Sequence, residues 1–223
     1  KIEHELPGEQ ASHGEWLVFG RRWAEIVSLW AASHNQLADT DRQAKRQLED
    51  AVDGRFTQWM LAHFGSLHSL LYLPRPVMVH HIARYLAHRR LSNGPNSRVA
   101  IIVVDGLALD QWLVLKRHMP EDLGPPDEHA CFAWVPTLTS VSRQSIFAGE
   151  VPSRFPDSIH DTATEQKLWR RFWENNGLNA SQVAFFKQAS GVSEDNFVDE
   201  LETEASRPFC RAVGVVLTTV DEM

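Results

Sequence analysis

The stretch Arg98-Val-Ala-Ile-Ile-Val-Val-Asp-Gly-Leu-Ala-Leu-Asp-Gln-Trp112 decides how this chain folds. Val99 to Val104 is an unbroken apolar run rich in β-branched side chains, too short for a helix and closed by the turn signal Asp105-Gly106. It reads as a strand buried on both faces, the pattern of a parallel sheet's interior. Leu107, Leu109, Trp112, Leu113 and Leu115 then keep helical spacing. The strand therefore delivers the Asp105 carboxylate at its carboxyl end, where open α/β sheets hold their ligands. Gly106 permits the tight turn that points Asp105 out of the sheet. An Asp at a strand-to-helix turn is equally a helix cap, so Asp105 gains meaning only beside a second motif.

Downstream the pattern alternates. A helix is expected over about 108–118, then the Gly124-Pro-Pro126 loop and a short apolar run, Ala130-Cys-Phe-Ala-Trp-Val135, read as a strand. Helices follow at about 139–147 and 162–175, the second carrying Leu168, Trp169, Phe172 and Trp173. Val183-Ala-Phe-Phe186 reads as a strand, 195–205 as an acidic helix, and Ala212-Val-Gly-Val-Val-Leu217 as another buried strand that delivers Asp221 just past its end. Strands alternating with helices give an α/β class with a mostly parallel sheet.

Upstream there is no strand signal. Residues 1–14 are polar and are expected to lie loosely on the surface. Trp16, Phe19, Trp23, Ile26, Val27 and Trp30 mark a helix to Ala32; Asp39–Val52 and Phe56–Phe64 mark two more, the last ended by Gly65. Pro74 and Pro76 open a fourth through Leu86. The loop Leu91-Ser-Asn-Gly-Pro-Asn-Ser97 is the best domain boundary, dividing a helical region, 1–96, from an α/β portion, 97–223. His80-His81 invites a metal reading, but neighbours on a helix point to different sides, so packing histidines are the simpler account.

The 223 residues carry a formal net charge of −7, which argues against a surface devoted to nucleic acid. Between Arg75 and Arg117 seven bases face only Asp105 and Asp110, a zone suited to phosphate or a partner, although a solvated face explains it as well. Cys131 and Cys210 form no motif and read as reduced thiols of a cytoplasmic protein. No apolar run reaches a membrane span and no signal peptide is visible. The chain starts at Lys1 and stops directly after an apolar run, and is expected to be a fragment.

The second motif is Val135-Pro-Thr-Leu-Thr-Ser-Val-Ser-Arg-Gln-Ser-Ile-Phe-Ala-Gly149. Thr139 or Ser140 at the helix start would sit at the positive end of the helix dipole, which suits an anion and eases ionisation of a nucleophile. Ser142 and Arg143 follow Thr139 by three and four residues on one helix face, where Arg143 can grip phosphate oxygens. Asp105, Thr139 and Asp221 together offer two carboxylates and a hydroxyl on one rim, hard ligands for divalent cations. Neither a P-loop, a dinucleotide-binding Gly-x-Gly-x-x-Gly after the first strand, nor a Gly-x-Ser-x-Gly elbow is present.

These motifs, Val-Val-Asp105-Gly-Leu-Ala-Leu-Asp-Gln-Trp112, Pro136-Thr-Leu-Thr139-Ser-Val-Ser-Arg143-Gln-Ser-Ile-Phe-Ala-Gly149 and Val-Val-Leu-Thr-Thr-Val-Asp221-Glu-Met223, resemble the PglZ domain family of the alkaline phosphatase superfamily, found in BREX anti-phage systems. The helical residues 16–90 resemble the region that precedes this domain in phosphatase-type members. The resemblance implies the first part of an alkaline-phosphatase-like sheet flanked by helices. It implies Asp105, Thr139 and Asp221 as metal ligands, with Thr139 also the nucleophile. It implies two divalent ions, zinc first, with magnesium or manganese as alternatives. Related phosphodiesterases show Pro-x-x-Thr with a Gly ten residues after the Thr, matched by Pro136, Thr139 and Gly149. They carry Asn where this chain has Ser142, so Arg143 becomes the candidate for stabilising the transition state. Asp221 matches the Asp of an Asp-x-x-x-His whose His would be residue 225. The expected function is phosphatase or phosphodiesterase chemistry on a phosphodiester or nucleotide, beside other defence proteins such as a DNA methyltransferase. The rival reading is a catalytically degenerate scaffold subunit of the defence complex.

Overall fold

A computed structural model describes residues 2–33, 38–188, 193–218 and 220. It shows the α/β class expected, with helices first and then a small parallel sheet flanked by helices. The described residues cluster into two compact units, one formed by residues up to Leu70 with Ala108–Phe132, the other by Leu71–Leu107 with Ala133 onward.

The first unit is built on α1 (His13–Ala32), α2 (Asp39–Leu67) and α4 (Leu109–Leu115). Ser12 and Glu15 form a capping box at the start of α1 and satisfy its first free N–H groups. Trp59, 1% exposed, anchors the core: its ring lies 5.8 Å from Trp16 and 5.6 Å from Phe132. Its indole N–H donates to the Ala11 carbonyl at 2.7 Å, and Pro7 is buried, so the polar N-terminal segment is pinned rather than loose. Two helices expected at 39–52 and 56–64 are one, α2, running unbroken through Gly54 and Gly65. A helical glycine costs only ~1 kcal/mol, which the burial of Val52, Trp59 and Leu67 along one face offsets. Ala130–Val135 forms no strand of the sheet; Phe132 instead packs on Phe56 and Trp59.

The second unit holds the sheet. β1 (Val99–Val104), β2 (Val183–Lys187) and β3 (Ala212–Leu217) lie in the order β1-β3-β2, all parallel. β3 is central, and five of its six residues are buried. On one face Ala212 and Val216 meet Phe147 of α5 (Thr139–Ala148), Trp169, Phe172 and Trp173 of α6 (Glu165–Asn175), and Ala83 and Ala87 of α3 (His81–Ser92). Gly214 makes this approach possible: a Cβ there would stand 3.0 Å from the Phe185 ring and 3.1 Å from the Trp169 indole nitrogen. On the other face Val213 and Val215 pack with Phe186 and with Phe197 of α7 (Glu194–Ala205).

Two expectations change here. Among the described residues β1 lies at the edge of the sheet and is buried on one face only, with Ile102 60% exposed, because the apolar face of α7 covers β2 and β3. The units do not part at the 91–97 loop either: the small side chains Ala83 and Ala87 seat α3 in the core of the sheet unit. Among the described residues no helix is long and apolar enough to cross a membrane.

Candidate functional site at the carboxyl rim

Parallel strands place all their carboxyl ends on one edge, and Asp105 and its partner Arg143 meet there. Asp105 follows β1 directly, its N–H bonded to the Leu217 carbonyl at 2.8 Å, so the ladder with β3 continues one residue past the strand. Gly106 then turns the chain at φ +74°, the conformation that favours glycine. Asp105 is thereby fixed at the backbone and its carboxylate projects from the rim.

The second motif folds as α5, and Thr139 is its first residue. Thr139 is exposed, at the end of the helix whose first-turn N–H groups have no intrahelical carbonyl to bond. Ser140, the other candidate for that place, is committed elsewhere: its hydroxyl donates to the Ile159 carbonyl at 2.7 Å. Ser142 is half-buried. Arg143, one turn beyond Thr139, is only 4% exposed.

Arg143 carries the geometry of the site. One guanidinium nitrogen donates to Asp105 Oδ2 at 2.9 Å and the other to Glu165 Oε2 at 2.5 Å. Burial works against its charge, but the hydrogen bonds to Glu165 and Asp105 and the two carboxylate charges outweigh it, so the pKa lies above the ordinary arginine value. Glu165 is the first residue of α6 and is 1% exposed; Lys187, the last residue of β2, brings its Nζ to 3.6 Å from the same oxygen. Asp105, Arg143, Glu165 and Lys187 thus form a line of alternating charge from the end of β1 through the second turn of α5 and the start of α6 to the end of β2. The Arg expected to reach a phosphate is enclosed by two carboxylates instead.

Gln144 secures the neighbouring loop. Fully buried, it donates to the carbonyls of Ser158 and Asp161 at 2.7 and 2.9 Å, and its oxygen accepts from the Ser158 and Thr164 hydroxyls at 2.6 and 2.8 Å. The later part of the chain between α5 and α6, from Ser158 to Thr164, is therefore tied to α5. Sequence reasoning missed both Gln144 and Glu165. For Glu165 a signal existed: Trp169, Phe172 and Trp173 follow it by four, seven and eight residues, so it lies on the buried stripe of α6, where a charge requires a partner.

Asp221 lies outside the described residues. Asp105 and Thr139 carry oxygen donors of the kind hard divalent ions take, and one carboxylate oxygen of Asp105 is held by Arg143. Among the described residues no three His, Cys, Asp or Glu side chains gather as a metal would require. The donor set present fits two positions of a cation site, not a whole one. His80 and His81 are buried, their rings 4.1 Å apart, and His81 Nδ1 accepts from the N–H groups of Val77 and Met78.

A family model described as the BREX system PglZ alkaline phosphatase-like domain matches residues 84–223. No curated protein matches the chain.

Proposed function

The chain belongs to the PglZ family of BREX-system alkaline phosphatase-like domains, and from that premise we propose that the full-length protein is a metal-dependent phosphatase or phosphodiesterase with Thr139 as nucleophile. The observation that carries the reading is the bond from Arg143 to Asp105, which ties a rim carboxylate to the helix that presents Thr139 one turn away. The superfamily generally uses divalent metals; bound at Asp105, Thr139 and Asp221, a pair of them, zinc first, would neutralise the phosphoryl oxygens and favour the ionised hydroxyl.

The chain's own residues do the rest. Thr139 Oγ1 attacks phosphorus in line, the ester oxygen departs with its electron pair, and water then hydrolyses the phosphothreonine. The first-turn N–H groups of α5 and its positive dipole end face the developing charge. Ser142 stands on the same face, half-buried, as a hydrogen-bonding group toward a phosphoryl oxygen. Arg143 contributes by positioning Asp105 rather than by gripping substrate, since both its terminal nitrogens are engaged. The substrate is a phosphodiester or nucleotide, and the partners are other BREX defence proteins, a DNA methyltransferase first among them.

The test is Thr139→Ala in the full-length protein. We expect hydrolysis of an activated phosphodiester to fall at least ~1,000-fold, as when a nucleophile is removed, with the unfolding midpoint unchanged because Thr139 is exposed. Unchanged turnover removes Thr139 from the mechanism. One observation favours a second reading, a scaffold without turnover: Asp105 already has a buried cation as partner. Metal content measured beside the phosphodiester assay separates the two, because a scaffold would hold no stoichiometric metal.

A further inference from the structure

The other end of α5 and α6 opens onto a cleft of about 620 Å³, well inside the size range of small-molecule sites. Its wall includes Ala148 at the end of α5 and Asn175 and Asn176 at the end of α6. Thr139 and Glu165 start those same helices, so the cleft lies about 13 Å along α5 from Thr139. It belongs to the sheet unit alone and shares no residue with the carboxyl rim.

The charge of the cleft is one-sided. Arg84, Arg154 and Arg171 line it with His88, against a single acid, Glu150. That acid is spent on Arg84, whose Nη2 lies 3.0 Å from it and whose Nε donates to the Gly149 carbonyl at 2.6 Å. The side chains of Arg154 and Arg171 make no ion pair or hydrogen bond with the described residues, and both residues are exposed at the opening. Two forked guanidinium groups with no carboxylate of their own are a place for an oxyanion, and phosphate matches their geometry.

The space exceeds what such an ion needs, and the remaining wall is aromatic and amide. Phe155 and Phe172 are buried beneath its wall and Tyr72 is half-buried, so the aromatic ring open to a flat partner by stacking is that of Tyr72. Asn176 donates to the Phe172 carbonyl at 2.8 Å, which fixes its side chain and leaves its amide oxygen as an acceptor beside Asn175. A phosphate joined to a flat heteroaromatic ring with donors and acceptors on its edge satisfies all three wall types.

We infer that this cleft binds a nucleoside phosphate, with Arg154 and Arg171 on the phosphate and the Tyr72 ring against the base. It is a site separate from the one that holds Thr139, and its occupancy does not depend on turnover there.

The experiment titrates AMP, adenosine and inorganic phosphate separately into full-length Thr139→Ala protein, in which any AMP at the rim survives, and follows heat. AMP should bind saturably, and both adenosine and phosphate at least tenfold more weakly. Adding Arg154→Ala and Arg171→Ala should weaken AMP at least tenfold. Both arginines are exposed and bond to nothing in the core, and an unchanged thermal midpoint confirms that this variant folds. A third variant, Asp105→Asn with Thr139→Ala, should keep the AMP affinity. Absence of AMP binding, or AMP affinity that ignores the two arginines, overturns the proposal. So does affinity that falls with Asp105→Asn, which would move the ligand to the rim. Phosphate binding as tightly as AMP would overturn the nucleoside part.

Discussion

Arg143 separates two kinds of role, and its removal tells them apart. An arginine that only grips substrate can be replaced with little loss of stability. An arginine enclosed by carboxylates cannot, because Glu165 is 1% exposed and would be left in the interior without its nearest counter-ion. Breaking a buried ion pair by removing one partner costs ~3–5 kcal/mol. Here Lys187 remains 3.6 Å from Glu165 but is 37% exposed, so water screens it and only part of the loss is recovered. Asp105 also loses a partner, at less cost because its side chain still reaches solvent. The lower end of the range, ~3 kcal/mol, is therefore expected for Arg143→Met, which keeps much of the apolar stem. Arg143→Met with Glu165→Leu removes the stranded charge as well and should lie within ~2 kcal/mol of the unmutated protein, since apolar replacement of buried ion pairs is often neutral. Urea unfolding followed by the tryptophans reports on this region, as Trp169 and Trp173 are fully buried in the α6 core. A midpoint for Arg143→Met indistinguishable from the unmutated protein would refute the reasoning, and so would a double variant no more stable than the single one.

Gly149→Ala tests the end of α5: φ is +63° there, and an added Cβ would fall 2.7 and 2.9 Å from ring carbons of Phe172. The left-handed conformation costs ~1–2 kcal/mol and the overpacking ~1–3 kcal/mol, so urea unfolding should show ~2–5 kcal/mol of loss, and under ~1 kcal/mol would mean that Phe172 yields freely. In the first unit, burial raises the pKa of Glu128, but hydrogen bonds from Lys116 and Trp112 and the charges of Arg21 and Lys116 outweigh it and hold the carboxyl below its usual range. A carboxyl lowered on folding stabilises above its unfolded pKa and loses that contribution as pH falls through its folded value. The stability gap between the unmutated protein and Glu128→Gln should therefore narrow from about pH 6 to about pH 3; a constant gap in urea melts across that interval would contradict the pairing.

The regular elements were legible because their periods are. β1, β2 and β3 fall where short β-branched runs predict them, and α5, α6 and α7 begin within three residues of expectation. Position within the sheet was not legible. Val99–Val104 and Ala212–Leu217 read alike as runs buried on both faces, yet only the second is central, because sheet order depends on which strands the later chain adds beside each. Gly65 failed as a helix stop for a related reason: burial of Leu67, two residues on, outweighs the local cost of the glycine. At the site, Asp105, Gly106 and the start of α5 were each legible from a motif. The partner of Arg143 was hidden, as it sits 22 residues away on another helix, and only its place on the apolar stripe of α6 betrays it.

The Arg143 clamp bears on the chemistry through orientation. A carboxylate that serves a cation is commonly held by an outer hydrogen bond, which fixes the direction of its remaining oxygen. Asp105 has that arrangement: Oδ2 is taken at 2.9 Å by a guanidinium that Glu165 anchors from its far side. Asp105 cannot turn without breaking a bond to a buried group, so the rim position of its second oxygen is set by α5 and α6 together rather than by its own loop. Chemistry and architecture then separate by residue. Thr139 is exposed and bears no packing, so on the function proposed above its loss is read in turnover, while Arg143 and Glu165 are buried and bear the packing, so their loss is read first in stability. On that proposal, a rim whose carboxylate is aimed by the core can be disabled from either side, and the two routes leave different signatures in the same pair of assays.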